Sequence, residues 1–151
     1  MAQYKAAALA NNSPVYQQDG GAVSEDDTAT PPIALALNDT VDLIKLSGGT
    51  RLQHLTCFNG DFDTGVTLQY SLGYRPADAS GTLVANATYF GTALTDLQAA
   101  VPGSNPTRRA FAPTDFNEDV IIFMTVTAAA TGVSGTPSIT TLAIGRAKGV
   151  K

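Results

Sequence analysis

The sequence has no tryptophan, one cysteine and one histidine in 151 residues. A lone Cys57 excludes an internal disulfide framework and a cysteine-based structural zinc site. A lone His54 excludes every multi-histidine metal site and leaves few routes to general-base chemistry. Charged residues make up 15% of the chain, below the usual quarter, and aromatics only 7%. No apolar run reaches the ~18 residues that span a bilayer. The opening MAQYKAAALANN lacks the apolar stretch of a signal peptide. Neither a G-x-S-x-G elbow, a glycine-rich phosphate loop nor a C-x-x-C motif is present. What is there is a chain of one-domain length, rich in Ala, Thr and Gly.

Nine Lys plus Arg against thirteen Asp plus Glu give a formal charge of −4, the wrong balance for a nucleic-acid partner. The charge is uneven. Residues 1–44 carry Asp19, Glu25, Asp26, Asp27, Asp39 and Asp42 against Lys5. From Thr107 onward Arg108, Arg109, Arg146, Lys148 and Lys151 face Asp115, Glu118 and Asp119. An acidic leading end and a basic trailing end have the signs to meet between neighbouring copies.

Residues 1–31 read as an extended N-terminal arm. Small and polar residues with Pro14 and Pro31 cannot bury enough surface to fold alone. Tyr4, Leu9, Val15 and Tyr16 are wasted on a solvated tail, so the arm is expected to dock on a partner. Residues 32–151 read as strands. The clearest is 66–74, VTLQYSLGY, where Val66, Leu68, Tyr70, Leu72 and Tyr74 alternate onto one face. Residues 52–58 form another, and a short edge strand is expected around Arg109–Ala112. Residues 119–127, DVIIFMTVT, are apolar on both faces, as a central strand is. The run 138–147 puts Leu142 and Ile144 on one side, and its turn-rich link to 119–127 predicts that the two pair antiparallel. Thr92 to Val101 is the one helical candidate, with Thr92 able to cap and Pro102-Gly103 to end it. Seven or eight short strands without crossover helices predict an all-β, antiparallel β-sandwich with one short helix.

Each candidate for chemistry has a plainer explanation. His54 and Cys57 stand three apart on one expected strand, hence on opposite faces, and cannot act as base and nucleophile. Asn59-Gly60-Asp61-Phe62-Asp63-Thr64-Gly65 offers the D-x-D-x-G opening of a calcium loop, but no glutamate closes it. Its residues also define a tight turn, which is the reading adopted. Asp61, Asp63, Asp115 and Asp119 lack the aromatic platforms of a sugar hydrolase. No catalytic residue, metal or cofactor is expected. The adjacent Arg108 and Arg109 form a possible contact patch.

An extended arm leads to a strand ending Gly48-Gly49-Thr50-Arg51-Leu52. A turn, Asp61-Phe62-Asp63-Thr64-Gly65-Val66-Thr67, runs into Leu68-Gln69-Tyr70-Ser71-Leu72-Gly73-Tyr74. Tyr89-Phe90-Gly91-Thr92-Ala93 opens the short helix, and a hairpin over 119–147 closes the chain. Over roughly residues 33–147 this order resembles small structural proteins of tailed bacteriophages, in particular capsid decoration or cement proteins. The resemblance implies a jelly-roll-like sandwich, made in the host cytoplasm, that assembles on the capsid exterior of the virion. Such proteins are often homotrimers, bridge major capsid proteins and carry no catalytic residues. The rival reading is a carbohydrate-binding or adhesin-like module using Tyr70, Tyr74, Tyr89 and Phe90.

Overall fold

A computed structural model of the chain describes residues 1–6, 21–31, 34–99, 106–133 and 135–148. Ten strands form within them: β1 (Gln3–Lys5), β2 (Ala22–Ala29), β3 (Thr40–Leu46), β4 (Thr50–Asn59), β5 (Gln69–Pro76), β6 (Asn86–Leu94), β7 (Thr107–Arg108), β8 (Thr114–Phe116), β9 (Val120–Ala128) and β10 (Ile139–Ala147). They make two sheets, ordered β1-β3-β9-β5-β6 and β2-β10-β4-β7, with β8 also on β4. All pairs are antiparallel except β1 with β3. Consecutive strands mostly lie in opposite sheets, the connectivity of a jelly-roll-like sandwich.

The core lies between the sheets and comes from alternate residues of each strand. Central strand β9 gives Val120, Ile122, Met124 and Val126; β5 gives Tyr70 and Leu72; β3 gives Val41, Ile44 and Leu46; β4 gives Leu52 and Leu55. Each such aliphatic side chain contributes roughly 1.5–3 kcal/mol by leaving water. On the outer face of β9, Phe123 is covered by Arg75, whose guanidinium sits 5.3 Å from the ring centre.

Several expectations need correction. Two stretches of the leading segment pair within the chain itself. Gln3–Lys5 pairs with β3, Ala6 donates its N–H to the Asp42 carbonyl at 2.8 Å, and Ala22–Ala29 pairs along its length with β10. The inward positions of β2 are Val23, Glu25, Asp27 and Ala29, so acidic residues interrupt the apolar alternation and hide the strand from a hydrophobic pattern. Leu9, Val15 and Tyr16 lie outside the described residues.

Strands β9 and β10 do not form a hairpin; they belong to different sheets. Leu142 and Ile144 do share a side, but it is the outer one, while Ile139, Thr141 and Ala143 fill the interior. Val66 is 79% exposed and precedes β5. The expected edge strand is displaced to Thr107–Arg108. The described part of the helical candidate is the end of β6 followed by a three-residue 3-10 turn, Asp96–Gln98, without a side-chain cap. The carboxylate of Asp96 serves a different purpose.

Candidate functional site

Asp63 explains the Asn59–Gly65 motif. Its side chain is 1% exposed and both oxygens are occupied by donors. Oδ1 accepts from the Gly65 N–H (3.1 Å), the Thr131 N–H (2.9 Å) and the Thr131 hydroxyl (2.7 Å). Oδ2 accepts from the N–H groups of Thr67 and Leu68, each at 2.7 Å, and from the Thr67 hydroxyl at 3.2 Å. Burial acts to raise its pKa, but these hydrogen bonds, led by that of the Thr131 hydroxyl, hold the carboxyl far below the usual range. Asp61 accepts the Asp63 N–H at 3.0 Å, as in an Asx turn. Asp63, steadied by Asp61, thus clasps the 60–68 turn to the 129–132 segment.

A second polar cluster lies between the sheets. Arg109 donates to Asp96 at 2.7 Å and to the Tyr70 hydroxyl, which itself donates to Asp96 at 2.9 Å. The Arg109 guanidinium also sits 5.7 Å from the Tyr70 ring centre. Its side chain is only 7% exposed, so Arg109 is held inside the protein. Neighbouring residues of an extended chain point to opposite sides, and Arg108 faces out. The expected arginine patch is therefore split, with Arg108 exposed and Arg109 held inside. Burial pushes the Tyr70 phenol and the Cys57 thiol up. Cys57 points inward and His54 outward, so they do not form a base and nucleophile pair.

The remaining candidates have local tasks. Asp115 pairs with Lys148 and Arg51, and Asp119 with Lys45 at 2.9 Å and the Gly48 N–H at 2.9 Å. These carboxylates are engaged apart from Asp61 and Asp63. Tyr74 packs edge-on against Tyr89, Phe90 and Phe116, with ring centres 5.1–6.3 Å apart. Tyr70 and Phe90 are buried in the core, so the four aromatics proposed for sugar stacking are spent largely on internal packing. Tyr4 also packs on the protein's own core.

The outer face of the β10–β4 sheet is more open. A groove of about 360 Å³ runs over it, lined by His54, Thr56, Phe58, Arg108, Leu142 and Ile144 among others. It combines an apolar floor with one exposed arginine and the only histidine. Among the described residues, no group of three or more His, Cys, Asp or Glu side chains could hold a metal ion. Sequence reading missed the Asp96–Arg109–Tyr70 cluster because its members are far apart in the chain and share no local motif.

No protein-family model matches the chain, and no curated protein matches it. Solved structures do. A chain of the capsid of Ralstonia phage GP4 superposes with a TM-score of 0.66 at 20% identity, covering 91% of each chain. A chain of the cyanophage Pam1 capsid asymmetric unit gives 0.61 at 18% identity, covering 87% of this chain and 89% of that one. The fold is shared with these phage-capsid chains over nearly its whole length.

Proposed function

We propose that the protein is a virion structural subunit of a tailed bacteriophage, a cement or decoration protein on the outside of an icosahedral head. Its work there is to stabilise contacts between major capsid proteins, acting as a homo-oligomer, with a trimer the expected form. The observation that carries this reading is the shared fold, along nine-tenths of both chains, with a chain of a phage capsid. The polar side chains support it. Of the carboxylates that suggested chemistry, Asp61 and Asp63 are consumed by a turn clasp, and Asp115 and Asp119 by ion pairs with Lys148 and Lys45.

Attachment falls to the 7–20 segment, which carries Leu9, Val15 and Tyr16 and joins two strands anchored in different sheets. Arg108 on the outer face is a second contact. Replacing 7–20 by a Gly/Ser linker of equal length keeps β1 and β2. The variant is expected to fold and to lose co-sedimentation with heads of the encoding phage. Unchanged affinity of the folded variant would refute this mode of attachment.

A further inference from the structure

The β2-β10-β4-β7 sheet ends in two unlike edges. On one side lies β2, eight residues long, and among the described residues its outer side carries no strand. On the other, beside β4, lie β7, two residues long, and β8, three residues long. Unpaired edges present N–H and C=O groups that can receive another strand.

The registers put Asp26 opposite Leu142, Leu142 opposite Thr56, and Thr56 opposite Arg108. All four side chains therefore lie on the outer face in one row across the sheet. Asp26 and Arg108 are its two ends, and both are exposed. Neither has an ion-pair partner among the described residues. Strand directions agree as well: β2 runs parallel to β4, and β7 antiparallel to it. A second copy placed by continuing the sheet, without turning over, lays its β2 antiparallel to this β7.

We infer that copies of the chain join head to tail through this edge, with Asp26 of one beside Arg108 of the next. Opposite charges directly across an antiparallel pair are stabilising and like charges are not. A β2-to-β2 junction centred on Asp26 would set Asp26 against its own copy, so the charges select the unlike edges. Junctions between unlike surfaces close into rings when the rotation permits. This inference rests on the proposed function only in that copies assemble.

The test uses the full chain at micromolar concentration, with mass measured by sedimentation equilibrium for wild type, D26R, R108D and the double variant D26R/R108D. Circular dichroism checks the fold of each, and D26N serves as a milder change. The wild type should be oligomeric, each single reversal should weaken association by about tenfold or more, and the double reversal should restore it. A monomeric wild type, single variants that associate unchanged, or a double variant as weak as the singles would overturn the junction. Head binding is read on the same samples. An intact ring that ignores heads supports the junction and defeats the virion reading; a monomer that coats heads does the reverse.

Discussion

At the scale of single residues, two buried charges do most of the organising. Asp63 replaces the water it lost with six donors, so its worth lies in the groups it satisfies. Asp63→Asn substitutes a donor for an acceptor and strands several of them. We expect a loss of about 2–4 kcal/mol, a fall in melting temperature of roughly 5–15 °C for a chain of this length. The pH dependence follows from the depressed pKa. The folded value lies below the unfolded ~3.9, so the clasp contributes fully above about pH 5 and is lost as pH falls toward the folded value. The gap between wild type and variant in thermal melts should therefore narrow below about pH 4. Arg109 makes the complementary case. Arg109→Met leaves Asp96, 18% exposed, without its cation and should cost about 1–3 kcal/mol in urea unfolding, whereas Asp115→Asn removes an exposed pair and should leave urea unfolding nearly unchanged. The Asp63 turn was legible because Asn, Asp and Gly cluster locally. Arg109 was not, because its adjacency to Arg108 suggests a shared surface when an extended backbone sends the two apart.

At the scale of elements, alternation told the truth where strands have an apolar face and failed where they do not. The β9 run is apolar on both faces and is indeed central. In β2, Glu25 and Asp27 occupy inward positions, so no hydrophobic period marks a strand that pairs for eight residues. For β10 the reading found the period but not the face. Leu142 and Ile144 look like core residues, yet the interior takes Ile139, Thr141 and Ala143, and a one-residue change of parity exchanges the faces. Ile122→Ala should then cost about 2–5 kcal/mol, and Ile144→Ala, at a position 38% exposed, under about 1 kcal/mol. Comparable losses in denaturant melts would mean the register is wrong. Pairing between sequential strands was the weaker guess. The 129–138 link is long enough to pass from one sheet to the other, and Thr131 within it is captured by Asp63.

At the scale of the whole molecule, the proposed function accounts for the blandness of the sequence. A subunit that works by shape needs a stiff sandwich, edges and loops able to meet neighbours, and few reactive groups. Backbone pairing supplies affinity without demanding particular side chains, and repetition around a symmetric particle multiplies weak contacts. That economy also limits what sequence alone reveals: the sandwich was readable from strand and turn spacing, while the unlike sheet edges emerge only once register is known. The most direct test of the central claim is the temperature at which DNA escapes from heads of the encoding phage that lack this chain, measured with and without saturating full-length protein. The account predicts that release moves to higher temperature as the protein binds, to a limit set by saturation. Release at the same temperature, with the protein left in solution at every concentration, would contradict it.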